Sequence, residues 1–337
     1  MRNLIELQKK IYPNVLETMQ QRYRILHSIK HLQPIGRRGL ADNTNLTERT
    51  IRNETSFLHN QGFIEVTTKG MFLTDDGELI LQQLAEFMRE VNGLHVLEKR
   101  IKDKLQLQQV IVVAGDSDKI SWVKKEMGKE CVSFIMDNIS TISTIAVTGG
   151  STVAAVTEAM VPLETEVLFV PARGGLGEKV EYQANSIAAQ MARKAKGDYR
   201  LLHVPDPLSE RSYQTMMNEP AIIEVLQLIK GSDLVIHGIG DALTMAKRRK
   251  TTEQVIEKLI ESDAVSEAFG YYFDKKGQIV HTVRTIGMQL KDLASAKYVI
   301  TIAGGESKAE AIISYFQQGK SDLLITDEAA ANEILKG

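Results

Sequence analysis

The sequence predicts a chain of mixed α/β class, with a small N-terminal helical module followed by a larger, mostly parallel, doubly wound Rossmann-like domain. The length of 337 residues suits two cores better than one. Residues 1–73 carry 11 Lys and Arg against 6 Asp and Glu, whereas the remainder carries an acidic excess. Near residue 106 the apolar pattern changes from helical spacing to short runs that alternate with helical stretches.

The composition restricts the class of protein. With 43% hydrophobic and 25% charged residues the chain is typical of a globular protein. The sequence contains no apolar run long enough to span a membrane and no signal peptide, so we expect a cytoplasmic protein without a membrane partner. The single cysteine, Cys131, lies among apolar residues, which indicates a buried thiol and no metal site.

The first module has the pattern of three helices and a hairpin. Apolar residues recur at helical spacing over 15–32, and a second short helix fits residues 36–44, with the polar residues 42–45 forming the turn. Thr47 is a good N-cap for a third helix that stops at Gly62. Two β-type segments, 63–67 and 71–74, then form a hairpin.

Three helices and a hairpin in a basic segment predict a winged helix-turn-helix that binds double-stranded DNA. The third helix would read the DNA because its polar face carries basic and amide side chains near its N-terminus. A plain three-helix bundle with a solvated polar face is the alternative. The candidate DNA-binding residues are Thr47, Arg49, Arg52 and Asn53.

A long amphipathic stretch from Leu84 to Leu105 follows, and Gly93 could interrupt it. Such a helix could pair with its copy in a second subunit or pack on its own domain. We place the domain boundary here, with residues 1–89 as the DNA-binding domain with its linker helix and residues 90–337 as the second domain.

The second domain shows βα repetition. Helical stretches separate most of the apolar runs, which predicts an open parallel sheet that is covered on both faces. Lys275–Gly277 lies between two further apolar segments and predicts an inserted antiparallel hairpin. The predicted strands are 110–113, 145–147, 167–170, 201–204, 234–236 and 299–302.

Four of the loops that follow these strands are rich in glycine, namely 148–152, 171–175, 238–241 and 304–308. Glycines let backbone N–H groups approach an anion, and the N-terminus of a helix adds its dipole. With Arg173, Lys308 and the basic run 247–250 nearby, the loops predict phosphate recognition at more than one point. The basic run could instead contact nucleic acid or form a solvated helix face. Dinucleotide and P-loop fingerprints do not fit these glycines.

These motifs resemble the SorC family of bacterial sugar-responsive regulators over essentially the full length. The resemblance rests on TERTIRNETSFLHNQG, VTGGSTVAAV, VPARGGLGE with EYQAN, HGIGDALTMAKRRK, SEAFGYYFD and IAGGESKAEAI. It implies a repressor whose operator binding is modulated by a phosphorylated sugar, with fructose 1,6-bisphosphate as the expected effector. It also implies a homo-oligomer, a dimer or tetramer, with no cofactor.

The effector domains of this family are similar to glucosamine-6-phosphate deaminases and sugar-phosphate isomerases, and that likeness implies roles for individual residues. One phosphate would bind at the glycine-rich helix start and at Ser307 and Lys308. Arg173 and Arg248 would reach the second phosphate, with Arg249 as the alternative to Arg248, and Gln183 and Glu267 would bond sugar hydroxyls. The helix start consists of Gly149, Gly150, Ser151 and Thr152.

The same likeness argues against the second reading, an isomerase- or deaminase-type enzyme with an N-terminal oligomerisation module. Where the deaminases have an acidic pair with a general base, this chain has Arg173. Their Asp-Gly-His is replaced by Asp241-Ala242-Leu243, so Asp241 is predicted to stabilise its loop. Without a positioned acid–base group, no side chain is predicted to carry out the proton transfers that opening or isomerising a sugar ring requires.

Overall fold

The computed structural model describes residues 7, 10–44, 46–175, 179–206 and 208–336. The chain divides into two compact units, 1–96 and 97–337. The proposed boundary at residues 89/90 stays a prediction. None of the described helices is long and apolar enough to cross a membrane. Asn45 of the predicted turn and residues 176–178 of the VPARGGLGE motif lie outside the described residues.

The first unit contains the three predicted helices and the hairpin. The helices are α1 (Pro13–Leu32), α2 (Arg37–Thr44) and α3 (Glu48–Asn60), and the antiparallel strands are β1 (Ile64–Thr67) and β2 (Gly70–Leu73). The polar residues 42–44 belong to α2 rather than to the turn, because Asn43 and Thr44 bond back to the carbonyls of Gly39 and Leu40 at 2.8 and 2.6 Å. The loop before α3 is therefore shorter than predicted.

Helix α3 buries one face and exposes the other, as its spacing predicts. Ile51, Thr55 and Leu58 are buried, and Ile51 and Leu58 join the apolar core of this unit. Thr47 caps the helix by accepting a hydrogen bond from the Thr50 amide at 3.1 Å, which confirms the predicted N-cap. The opposite face is solvent-exposed and consists of Glu48, Arg49, Arg52, Asn53 and Ser56.

The long amphipathic stretch forms two helices, α4 (Asp75–Val91) and α5 (Leu94–Leu105). Gly93 adopts a φ of 69° between them, a left-handed conformation that a residue with a Cβ rarely takes, so the predicted interruption is confirmed. Thr74 caps α4 through the amide of Gly77 at 3.0 Å.

The second unit contains a seven-stranded parallel sheet. Its strands are β3 (Gln109–Val113), β4 (Thr144–Val147), β5 (Leu168–Pro171), β6 (Asp198–Tyr199), β7 (Leu234–His237), β12 (Tyr298–Ile302) and β13 (Leu323–Asp327). They lie in the order β3-β13-β12-β7-β4-β5-β6. The helices are α6 (Ser121–Asn138), α7 (Ser151–Ala159), α8 (Ala184–Ala195), α9 (Glu210–Met216), α10 (Pro220–Lys230), α13 (Ala309–Phe316) and α14 (Glu328–Lys336).

The strand order reverses between β4 and β7. From β4 the chain proceeds outward to β5 and β6, whereas from β7 it proceeds the other way to β12 and β13. Loops at the carboxyl ends of two neighbouring strands diverge at such a reversal and leave a crevice there, where open α/β sheets bind their ligands. The topology therefore brings together the glycine-rich loops after β4, β5, β7 and β12.

One predicted strand is wrong, and two strands of the parallel sheet, β6 and β13, were not predicted. Residues 201–204 do not form a strand, because the Asn185 side chain bonds both the amide and the carbonyl of Leu202 at 3.0 Å. That side chain satisfies the backbone in place of a neighbouring strand, and the sheet ends instead at the two-residue β6. The other unpredicted strand of this sheet is β13, which lies between β3 and β12.

The inserted hairpin is part of a second, antiparallel sheet. Its strands are β8 (Gly240–Asp241), β9 (Ala264–Ala268), β10 (Tyr271–Asp274) and β11 (Ile279–Thr282), and helices α11 (Ala242–Arg248) and α12 (Glu253–Glu261) lie between β8 and β9. The strand order is β11-β10-β9-β8. Tyr272 is fully buried in a small apolar cluster of this subdomain. The subdomain supplies the basic run and the segment that contains Glu267.

Candidate functional site

A cavity of about 560 Å³ lies at the strand-order reversal. Its walls come from the loops after β4, β5, β7 and β12 and from the antiparallel subdomain. All ten residues that the family resemblance assigned to effector binding line it: Gly149, Gly150, Ser151, Thr152, Arg173, Gln183, Arg248, Glu267, Ser307 and Lys308. Its volume is that of a small-molecule site.

The N-terminus of α7 forms one end of the cavity. A Cβ at Gly149 would stand 2.6 Å from the carbonyl oxygen of Tyr182, so only glycine fits here. Gly150 has a φ of 120° and donates its amide to the same carbonyl at 2.8 Å. The first amides of α7 have no partner within the helix, and with the helix dipole they make this end suitable for an anion.

Lys124 is a cation at this end that the sequence reasoning missed. It projects from α6, lines the cavity, and its Nζ lies 3.4 Å from the Ser151 hydroxyl. No motif surrounds it in the sequence. The only sequence signal for its position at the cavity is Gly128, one helical turn later, which allows α6 to approach α7 closely.

Carboxylates from neighbouring loops hold the segment that contains Ser307 and Lys308. Asp327 accepts the amides of Ser117 and Gly305 at 2.8 and 2.7 Å, which ties the β3 and β12 loops to the end of β13. Asp118 accepts the Ser307 amide at 2.9 Å. Burial lowers the pKa of Lys308 below its ordinary value, although Asp241 partly opposes the shift.

Four buried charged side chains form the wall behind the β5 loop. Arg173 donates from Nε to Asp206 at 2.8 Å, also binds Asp206 through Nη2, and places Nη1 3.5 Å from Glu267. Arg249 donates to Glu267 and to the Tyr272 hydroxyl, both at 2.7 Å. Burial raises the pKa of Glu267, but attraction by Arg249 and Arg173 outweighs it and leaves the pKa below its ordinary value.

The structure distinguishes Arg248 from Arg249. Arg248 is exposed at the end of α11 and lines the cavity, whereas the side chain of Arg249 is fully buried against Glu267 and does not line it. Asp241 accepts the Thr244 amide at 2.8 Å and caps α11, so its predicted role in stabilising the loop is confirmed. Lys247 and Lys250 are exposed and lie outside the cavity.

The cavity carries more positive than negative charge. Lys124, Arg248 and Lys308 face Asp241, while Arg173 is balanced by the buried carboxylates behind it. Cations and helix N–H groups that line the same cavity suit an anionic ligand. The fold and the cavity therefore define a ligand-binding α/β domain attached to a basic helical unit.

Comparison with known proteins supports this class for both units. Residues 89–336 match the family model described as "Putative sugar-binding domain", and residues 18–88 match that described as "CggR N-terminal DNA binding domain". The chain is 52% identical to the central glycolytic genes regulator of Priestia megaterium and 47% identical to that of Bacillus subtilis. Each alignment covers 100% of this chain and 99% of the relative.

Two solved structures have a similar fold. A SorC family transcriptional regulator from Enterococcus faecalis has 48% identity and a TM-score of 0.67, over 72% of this chain and 100% of that one. The full-length sorbitol operon regulator from Klebsiella pneumoniae has 18% identity and a TM-score of 0.66, over 92% of this chain and 96% of that one, and it supports the fold alone.

These findings define a transcriptional regulator with an N-terminal DNA-binding domain and a sugar-binding α/β domain, not an enzyme. The chain belongs to the sugar-binding domain family and, within it, groups with the central glycolytic genes regulators. The resemblance to SorC-family regulators that the motifs indicated is confirmed.

Proposed function

We propose that the chain is a repressor of glycolytic genes whose operator binding is modulated by a phosphorylated sugar, with fructose 1,6-bisphosphate as the effector. The observation that carries the proposal is the cavity that brings together the ten sequence-assigned residues with cations at separate points. The names of the two relatives with full-length similarity support glycolytic genes as the target.

One phosphate binds at the N-terminus of α7. The backbone amides of Ser151 and Thr152 and their hydroxyls donate to it, and Lys308 supplies the charge from the opposite loop. Lys124 joins this position through its approach to Ser151. The sequence assigned Gly149, Gly150 and Ser307 to the same phosphate, and these residues line the same cavity.

The second phosphate binds at Arg248 with Arg173 beside it. Arg248 is the only arginine of the 247–250 run among the residues that line the cavity, so it takes the role left open between Arg248 and Arg249. Gln183 and Glu267 lie in the cavity wall and serve the sugar hydroxyls. A carboxylate such as Glu267 is an acceptor for hydroxyl donors.

The N-terminal unit binds operator DNA as a winged helix-turn-helix. Its exposed α3 face presents Arg49, Arg52 and Asn53, and arginine and asparagine are the side chains that read guanine and adenine in the major groove. Thr47 is exposed at the start of the same helix, where it can also reach a phosphate. The partners are double-stranded operator DNA and a second copy of the chain, in a cytoplasmic dimer or tetramer.

Calorimetric titration with fructose 1,6-bisphosphate, fructose 1-phosphate and fructose 6-phosphate tests the effector. We expect the bisphosphate to bind more tightly than either monophosphate and to change the affinity for DNA from upstream of glycolytic genes. Lys308→Ala should weaken all three ligands, because each uses the α7 end, whereas the exposed Lys291→Ala should change none. Equal affinity of the unaltered chain for the three ligands would contradict the two-phosphate arrangement.

A further inference from the structure

Arg173 is the cavity cation whose charge is already neutralised. Its Nε and Nη2 both contact one oxygen of Asp206, and its Nη1 lies 3.5 Å from Glu267. The side chains of Arg173, Asp206 and Glu267 are 8%, 1% and 4% exposed. Water therefore does little to screen these charges from one another.

The carboxylates of Glu267 and Asp206 contribute differently to the charge balance of Arg173. Glu267 also binds Arg249 at 2.7 Å and accepts the amide of Gly270, so Arg249 balances its charge. Asp206 contacts Arg173 through Oδ2, and its Oδ1 is buried with no hydrogen-bond partner among the described residues. Asp206 is thus the carboxylate that neutralises Arg173.

The backbone fixes Asp206 in this position. Its amide donates to the carbonyl of Gly175 at 3.0 Å, and the amide of Gly175 donates to Val204 at 3.0 Å, so the segment before residue 207 is bound directly to the β5 loop that contains Arg173. The carboxylate cannot move far from the guanidinium without breaking this ladder.

We propose that Asp206 is a specificity-determining residue that weakens the second anion-binding position of the cavity. An anionic group that approaches Arg173 meets a guanidinium whose charge Asp206 has cancelled, and the carboxylate repels it. A sugar hydroxyl meets no such penalty. Asp206 therefore lowers the preference for a bisphosphate over a monophosphate below what the cavity cations would otherwise give.

This proposal rests on the proposed function, since it concerns the second phosphate of the same ligand. Asp206→Asn keeps the acceptor oxygen for Arg173 and removes the negative charge. We expect this variant to bind fructose 1,6-bisphosphate at least about tenfold more tightly and to change its affinity for fructose 6-phosphate less than about twofold.

Asp198→Asn is the matched control for the loss of one negative charge. Asp198 is exposed and pairs with Arg200 at the sheet edge, away from the residues that line the cavity. Asp198→Asn should change the affinity for the bisphosphate only slightly, and this change should disappear in about 1 M salt. The effect of Asp206→Asn should persist because the Arg173–Asp206 pair is buried.

A second variant covers the case in which Asp206→Asn does not fold. Arg173→Met with Asp206→Leu removes both charges together and leaves neither one unpaired. Its preference for bisphosphate over monophosphate should stay close to that of the unaltered chain, because the two charges cancel there, and binding of fructose 6-phosphate should persist. A preference that falls about tenfold or more in this double variant would show that Arg173 attracts the second phosphate despite Asp206 and would overturn the proposal.

The outcomes separate the two proposals. If the unaltered chain prefers the bisphosphate and Asp206→Asn leaves the ratio of the two affinities unchanged or lowers it, Asp206 does not weaken this position and the proposed effector stands. If the unaltered chain binds neither sugar phosphate, both proposals fail. A rise in that ratio in Asp206→Asn but not in Asp198→Asn supports the inference.

Discussion

Gly128 of α6 and Ala155 of α7 are in van der Waals contact through their backbones. A Cβ atom at Gly128 would stand 2.5 Å from the carbonyl oxygen of Ala155, which is closer than any real contact. The approach of the two helices depends on this glycine, and the same approach brings Lys124 to the Ser151 hydroxyl.

Gly128→Ala should therefore destabilise the second unit. The added methyl group must push two buried helices apart, and such overpacking costs about 1–3 kcal/mol. Urea unfolding of the variant measures the cost. Ser133→Ala, on the exposed face of the same helix, is the control and should change the free energy of unfolding by less than about 0.5 kcal/mol. A Gly128→Ala protein as stable as its parent would contradict this close approach of the two helices.

Arg52→Ala should weaken operator binding. If Arg52 contacts a base, the loss is about 1–3 kcal/mol and specificity relaxes, whereas loss of a phosphate contact weakens all sequences alike and lowers the salt dependence. Fluorescence anisotropy with operator and unrelated DNA at several salt concentrations distinguishes the two. Arg193→Ala removes an exposed arginine from α8 and should have no effect. Unchanged affinity of Arg52→Ala would disprove the assignment of α3 as the reading helix.

Arg248→Ala should reduce ligand affinity, whereas Arg249→Ala should reduce the stability of the fold. Arg249 is buried and pairs with Glu267, and removal of one partner of a buried pair costs about 3–5 kcal/mol of stability. Arg248 is exposed, so its loss should leave the free energy of unfolding nearly unchanged and reduce bisphosphate affinity. Urea unfolding and calorimetric titration of both variants measure this. The reverse pattern would show that Arg249 is the ligand-binding residue.

His237 should make stability depend on pH. Burial lowers the pKa of this fully buried side chain to about 4, against the opposing effects of the Gly238 carbonyl and Glu267. Since the unfolded chain protonates near pH 6.5, His237 stabilises the native state above that pH, and this stabilisation decreases as the pH falls from about 6.5 to about 4.

The loss between pH 7.5 and pH 5 should be about 2 kcal/mol. Urea unfolding of the parent and of His237→Gln at both pH values isolates this contribution, because the variant lacks the titrating group but has the other ionisable groups. The hydrogen bonds of His237 to Thr301 and Tyr315 make the variant less stable at both pH values, so the measured quantity is the difference in pH dependence. Parallel pH profiles would contradict the prediction.

Residues 90–337 should form a stable fragment that binds the effector. The Asn92–Gly93 turn separates α4 from α5, and we expect limited proteolysis to cut there first because a turn is cleaved more readily than a helix. Mass spectrometry identifies the cut, and calorimetry of the fragment should give the affinity of the whole chain. A fragment that aggregates, or that has lost ligand binding, would place the boundary elsewhere.

The sequence by itself determined the elements and the chemistry of the loops. Helical spacing predicted that Ile51, Thr55 and Leu58 are buried and that Arg52 is exposed. Strand–glycine–helix patterns located the glycine-rich loops that line the cavity, because these signals involve residues close together in the chain. The single thiol, Cys131, is buried as its apolar neighbours indicated, and burial raises its pKa to about 12.

Only the tertiary structure decided which charges face the cavity. Arg248 and Arg249 are adjacent in sequence, yet one lines the cavity and the other is buried, because their positions at the end of α11 point to different neighbours. Lys124 and Asp206 belong to no sequence motif. Lys124 lies at the cavity because α6 and α7 approach each other closely. Asp206 lies beside Arg173 because backbone hydrogen bonds hold its segment against the β5 loop. Pairing of distant segments, as in β13 and in Asn185 with Leu202, depends on packing that local spacing does not encode.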